Sequence, residues 1–182
     1  MLTKIDLMKI VKTNFNGLKV FQGKKFTDKR GYFREVFKKK FLNKKKFVFW
    51  CMSSSKKNVL RGMHLQKINS QEKFISVIKG SILDVVIDLR KNSKTCGKVF
   101  KIILSDKNCK SLFIPSGFAH GFCGLETENI IFYGNTNYRS KKSEICISWK
   151  DKRIKSFWPK KKYIISKKDN SGISFNNFFK KK

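Results

Sequence analysis

Short runs of β-branched and aromatic residues recur about every ten residues along this chain, separated by turn-forming residues, and this spacing constrains the fold more than any other feature. Segments so short, with no long amphipathic stretch between them, build an all-β sandwich or barrel. Predicted strands are residues 18–21, 32–37, 47–52, 74–78, 82–89, 99–104, 112–114, 129–133 and 145–149. Lys79-Gly80-Ser81 joins 74–78 to 82–89, and Gly80 accepts the positive φ of a tight turn, so these two segments are expected to pair as a hairpin. Within 82–89, Leu83, Val85, Ile87 and Leu89 alternate with Ile82, Asp84, Val86 and Asp88. The first set is expected to face a core and the second a partly polar surface.

The 182 residues, 40% of them hydrophobic, suffice for one core, and no repeat or linker divides them, so residues 1–182 are read as a single domain. Its last stretch, Ser171-Gly172-Ile173-Ser174-Phe175 and onward to a Lys run, reads as a loosely attached tail over 171–182. Lys and Arg number 43 against 12 Asp and Glu, a formal charge of +31 that excludes an acidic surface. The cations are dispersed without helical periodicity or a basic-aromatic repeat, so no specific nucleic-acid partner is expected. Such a charge suits a phosphorylated small substrate, and the alternative from another class is a basic polyanion-binding protein on an inert β scaffold. The longest apolar runs, such as Phe47-Val48-Phe49-Trp50-Cys51-Met52, are too short to cross a membrane. The N-terminal stretch is broken by Lys and Asp and has no small-residue cleavage site, so a cytoplasmic protein is expected. Five Cys without a C-x-x-C pair read as reduced thiols acting as small apolar fillers.

Only two His occur, and each stands in a turn-rich, polar-bracketed stretch: Arg61-Gly62-Met63-His64-Leu65-Gln66 and Pro115-Ser116-Gly117-Phe118-Ala119-His120-Gly121-Phe122. Either could be structural, yet imidazole is the side chain best poised for proton transfer near neutral pH. A barrel metal site places a second His two residues after the first; Gln66 stands there, so no metal is expected. Cys123 follows His120 by three residues, and strand alternation would put the two on opposite faces, which disfavours a Cys-His nucleophile pair. No G-x-G-x-x-G, P-loop or G-x-S-x-G pattern is present, so dinucleotide, nucleoside-triphosphatase and serine-hydrolase chemistry are set aside.

Five blocks, in order, make the chain recognisable: Asp28-Lys29-Arg30-Gly31-Tyr32-Phe33-Arg34-Glu35; Leu60-Arg61-Gly62-Met63-His64-Leu65-Gln66; Asp84-Val85-Val86-Ile87-Asp88-Leu89-Arg90; Ile114-Pro115-Ser116-Gly117-Phe118-Ala119-His120-Gly121-Phe122; and Ile164-Ile165-Ser166-Lys167-Lys168-Asp169. Together they resemble the dTDP-4-dehydrorhamnose 3,5-epimerase family over about residues 15–170. The resemblance implies a cupin-type β jelly roll with short peripheral helices, a homodimer whose early strand crosses the interface, no cofactor, and action on a thymidine-diphosphate 4-keto-6-deoxyhexose.

The same resemblance puts His64 at the general base, Asp169 at the carboxylate that orients its ring, and Tyr133 at the proton donor. Lys73 falls where it neutralises charge on the keto oxygen or the diphosphate. Arg30, Glu35, Arg61, His120, Glu144 and Lys168 fall on substrate-binding positions, and Tyr138 where a ring stacks on thymine. The chemistry is apt: a ketone at C4 acidifies C3 and C5, so one base makes an enolate from either carbon, and a phenol returns a proton from the opposite face. Structural alternatives stand beside these roles. Arg30 and Glu35 would make an ordinary cross-strand ion pair, Tyr133 and Tyr138 core-edge aromatics, and Asp169 a solvated charge. The chain departs from the family at Phe49-Trp50-Cys51-Met52-Ser53, where a Gln-x-Asn stretch is usual, and at Glu72 and Leu65. A C3-only epimerase or a 3,4-ketoisomerase on a related nucleotide sugar is the runner-up, since one enolate supports several proton shuffles.

Overall fold

The computed structural model describes residues 8–180. In chain order the strands are β1 (Lys9–Lys12), β2 (Lys19–Gln22), β3 (Lys25–Asp28), β4 (Gly31–Arg34), β5 (Phe49–Lys56), β6 (Val59–Gln66), β7 (Lys73–Lys79), β8 (Ser81–Asp88), β9 (Val99–Ser105), β10 (Lys110–Ile114), β11 (Phe118–Gly124), β12 (Glu128–Asn135), β13 (Glu144–Cys146) and β14 (Ile164–Ile165). Two short helices, α1 (Lys167–Asn170) and α2 (Phe175–Lys180), follow. One sheet runs β1-β2-β10-β7-β12-β5, the other β13-β6-β11-β8-β9 with β14 beside β6, and β3 and β4 form a separate ribbon. The two sheets face each other as a jelly roll.

Alternation along the strands builds three apolar layers. Between the sheets lie Val20, Ile75, Val77, Leu112 and Ile131 from one side and Ile82, Val86, Leu104, Phe118 and Phe122 from the other. Outside the second sheet, Leu60, Met63, Leu65, Val85, Ile87 and Ala119 are covered by Ile147, Ile154, Trp158 and Phe175. Outside the first, Phe21, Phe74 and Phe113 are covered by Met8 and Leu42. With both faces of both sheets packed, each sheet buries side chains in both directions along its strands.

All nine predicted segments overlap strands, but their partnering differs from expectation at the hairpin. β7 and β8 do not pair; they belong to opposite sheets, and Lys79-Gly80-Ser81 is the corner where the chain crosses from one to the other. Gly80 has φ +80, and a Cβ there would stand 2.2 Å from the Glu128 carbonyl oxygen, so the corner does require glycine. Ile82, Asp84 and Val86 accordingly face the space between the sheets and not a partly polar surface, and Asp84 and Asp88 are fully buried. Leu83, Val85, Ile87 and Leu89 face the outer core as expected.

The expectation of a loosely attached tail is corrected over its described residues, 171–180. Ile173 bridges Ile147, Phe175 is buried with its N–H donating to Asp151 Oδ2 at 2.8 Å, and Phe178 and Phe179 pack on the same cluster. Burial of aromatic area holds this segment where its composition suggested solvent. All five Cys are free; Cys109 and Cys123 are buried fillers, whereas Cys51 is exposed. Among the described residues no helix is long and apolar enough to cross a membrane.

Candidate active site

Both His lie on central strands and not in turns. His64 is on β6 and His120 on β11, directly opposite one another in the register. These strands escaped the sequence reading because glycines interrupt them, and the glycines are there for contact: a Cβ on Gly62 would stand 2.5 Å from Gly121 Cα, and one on Gly121 would stand 2.7 Å from the Arg61 carbonyl oxygen. Close approach of the two backbones brings the two imidazoles side by side.

At one end of the sandwich, polar residues replace the apolar filling between the sheets. A cavity of about 280 Å³ opens there. One sheet lines it with Phe49, Cys51, Lys73, Tyr133 and Asn135, the other with Arg61, His64, Gln66, His120 and Glu144, and Asp169 of α1 completes the wall. The imidazole of His64 and the phenol of Tyr133 therefore occupy one cavity from facing sheets.

Each group is held by a specific partner. His64 Nε2 donates to Asp169 Oδ1 at 2.6 Å, while Nδ1 lies 3.8 Å from Glu144 Oε1, beyond hydrogen-bond distance. Ser166 caps α1 by accepting the Asp169 N–H, and Gly62 N–H donates to Asp169 Oδ2 at 3.3 Å, so backbone contacts aim the carboxylate. Burial raises the Asp169 pKa, but the hydrogen bond and charge of His64 outweigh it and leave the carboxyl below its ordinary value. His120 Nε2 donates to the buried Asp84 Oδ2 at 2.8 Å, a second imidazole-carboxylate pair. The Tyr133 hydroxyl lies 2.9 Å from Ser53 Oγ; burial pushes its pKa well up, only partly opposed by that serine, so the phenol stays protonated. Lys73 is pushed down by burial, partly offset by Glu144 and Cys51. Partial burial raises Glu144, but Arg139 at 2.8 Å and Lys168 at 2.9 Å hold it ionised below its usual range.

His64, Tyr133, Asp169, Arg61, Lys73, His120 and Glu144 thus converge, and Lys168 reaches the site through Glu144. Arg30 and Glu35 are not brought in. Arg30 is 88% exposed at the tip of the β3–β4 ribbon, paired with Asp28, and Glu35 pairs with Lys38; the expected Arg30–Glu35 ion pair does not form. Tyr138 stands at the rim, 72% exposed. Sequence reasoning missed Arg139 and Asn135, which carry no motif, and misassigned Asp84 to a surface; its two-residue alternation with Ile82 and Val86 was the available signal.

His64, Cys146 and Asp169 hold potential metal donors within 4.8 Å of one another. The donor chemistry fits a metal poorly: the imidazole and carboxylate are engaged with each other, and burial, with Asp169 nearby, pushes the Cys146 thiol up to about 12, away from the thiolate a metal needs.

Residues 12–177 match the family model described as dTDP-4-dehydrorhamnose 3,5-epimerase. The dTDP-4-dehydrorhamnose 3,5-epimerase of Shigella flexneri is 40% identical, the match covering 92% of this chain and 96% of that protein. Its counterpart from Methanothermobacter thermautotrophicus is 39% identical over 90% of this chain and 92% of that protein. The crystal structure of a dTDP-6-deoxy-D-glucose-3,5-epimerase from Legionella pneumophila in complex with dTDP-4-keto-L-rhamnose superposes with a TM-score of 0.88 at 35% identity, covering 93% of each chain.

Proposed function

The chain belongs to the dTDP-4-dehydrorhamnose 3,5-epimerase family, and we propose from that premise that it inverts C3 and C5 of a thymidine-diphosphate 4-keto-6-deoxyhexose through an enolate, without a cofactor. The observation that carries the mechanism is the placement of His64 and Tyr133 on facing walls of one cavity. His64, kept in one tautomer by Asp169, removes the proton from C3 or C5, and the electron pair moves onto O4. Lys73 and His120 stabilise that oxyanion. Tyr133 delivers a proton to the same carbon from the opposite side. This leaves an imidazolium and a phenolate, which exchange their protons with solvent before the second inversion.

Arg61, Glu144 and Lys168 stand at the substrate-binding end of this reading, with Tyr138 offering its ring to the thymine. Guanidinium forks suit diphosphate oxygens, and local cations of this kind account for an anionic substrate without a polyanionic polymer partner. Five free thiols suit a reducing cytoplasm.

Arg30 and Glu35 lie outside the cavity of their own chain, and their assignment as substrate ligands requires a homodimer. The β3–β4 ribbon supports one: it pairs with neither sheet and exposes Phe26, Tyr32 and Phe33 around Arg30. Light scattering should give twice the chain mass of 21.3 kDa; a monomer at working concentration would remove Arg30 and Glu35 from the site.

The deciding experiment is incubation with dTDP-4-keto-6-deoxyglucose in deuterated water, followed by proton NMR. Deuterium at C3 and C5 is the expected result. Exchange at C3 alone makes the enzyme a C3 epimerase, and exchange at neither carbon rejects the mechanism.

A further inference from the structure

Phe49 opens β5 on the edge of the first sheet and lines the cavity. Its ring lies parallel to that of Tyr138, 10° apart with centroids at 5.8 Å. The Tyr138 loop is tied down by its backbone: Gln66 Nε2 donates to the Tyr138 carbonyl at 3.1 Å, Gln71 Nε2 to the Asn137 carbonyl at 2.7 Å, and Asn137 Nδ2 to the Ser70 carbonyl at 2.7 Å. The Tyr138 ring is mostly in solvent, and Phe49 stacks against it.

The spacing decides how a planar base could be received. Inserting one between the rings would need two contact distances of about 3.5 Å each, roughly 7 Å in all, and the pair is closer than that. The base is left with the outward face of Tyr138, and Phe49 covers the inward one. We propose that Phe49 is a positioning residue that backs the Tyr138 ring and presets its outer face as the platform for the nucleobase. The proposal rests on the reading of Tyr138 as the base-stacking residue. It gives the Phe49 position, where amides are usual in the family, a part in nucleotide affinity and none in proton transfer.

Titration calorimetry with dTDP alone, together with steady-state turnover, tests it on the full chain. Phe49→Leu keeps apolar bulk and removes the aromatic face. It should weaken dTDP binding and raise KM by about three- to tenfold, the range of an aromatic pair, with kcat within about twofold. Phe49→Tyr should restore both. Unchanged dTDP affinity in Phe49→Leu overturns the proposal, as does equal weakening by Phe49→Tyr, which would make the effect one of packing volume. Tyr138→Ala separates the two levels. If it weakens dTDP binding while Phe49→Leu does not, only the positioning role fails; if it leaves binding unchanged, base stacking on Tyr138 fails as well.

Discussion

Asp169 holds His64 from a distant part of the chain: Asp169 Oδ1 accepts from His64 Nε2 at 2.6 Å, and the two residues are 105 positions apart in sequence. One-turn α1 is too short to persist alone, so the pair depends on tertiary packing to keep the imidazole in a single tautomer. Asp169→Asn preserves the shape but offers an amide where the ring N–H needs an anion. Deuterium exchange into substrate should fall by about 10²–10⁴-fold with little change in dTDP affinity. An Asp169→Asn enzyme with wild-type exchange rates would place the base elsewhere.

In the proposed mechanism Tyr133 separates proton removal from inversion. Its hydroxyl approaches from the sheet opposite His64, so Tyr133→Phe leaves the base intact and removes the donor on the far side. The variant should still wash solvent deuterium into the substrate through return from the His64 side, while epimerised product falls by about 10²–10⁴-fold. Loss of exchange and inversion in equal measure would contradict separate acid and base.

The β class of the fold was legible because short β-branched and aromatic runs recur about every ten residues between turn-forming residues. Partnering was not: Gly80 serves a corner between sheets as well as it would a hairpin, and only the register distinguishes the two. The strands carrying His64 and His120 were obscured by Gly62 and Gly121, whose function is mutual close approach across β6 and β11, a property of two strands that neither shows alone. His64, Tyr133 and Asp169 were found through the resemblance of ordered blocks, and the fold brings them together. Arg30 was matched to the same blocks yet stands apart on the ribbon, because a motif records a residue type without recording where the element that carries it lies relative to the sheets.

Asp88 is the acid-sensitive point of the framework. It is fully buried, which by itself raises its pKa, yet Arg90, Ser93 and Thr95 donate to it and bring it down to about 2 from 3.8. The native carboxyl holds a proton less tightly than the unfolded one, so its contribution, about 2 kcal/mol, is fully present above pH 4 and disappears as the pH falls toward 2. Asp88→Asn should lower the melting temperature at pH 7 and should lose less stability than wild type between pH 4 and pH 2. Parallel acid-stability curves for the two proteins would show that the network contributes nothing through ionisation.

The C-terminal segment packs beside the strand that carries Glu144, and removing it tests how firmly it is attached. Ile173 N–H donates to the Cys146 carbonyl at 2.9 Å and its own carbonyl accepts from Ser148 N–H at 2.7 Å, which fastens the segment beside β13, the strand of Glu144. Phe175 then fills the outer core, its ring 4.1 Å from the Arg153 guanidinium carbon and 4.9 Å from the Phe179 ring centroid. Phe175→Ala leaves a cavity against Gly97 and should cost about 3 kcal/mol, or about 6–12 °C in melting temperature for a chain of this size. Truncation after Asn170 should cost more, because it also uncovers the apolar face over Ile147, Ile154 and Trp158. The same truncation releases α1 from its downstream support and should lower kcat of the remaining folded enzyme. A truncated chain that melts with the wild type and turns over at the same rate would return residues 171–180 to the status of an appendage.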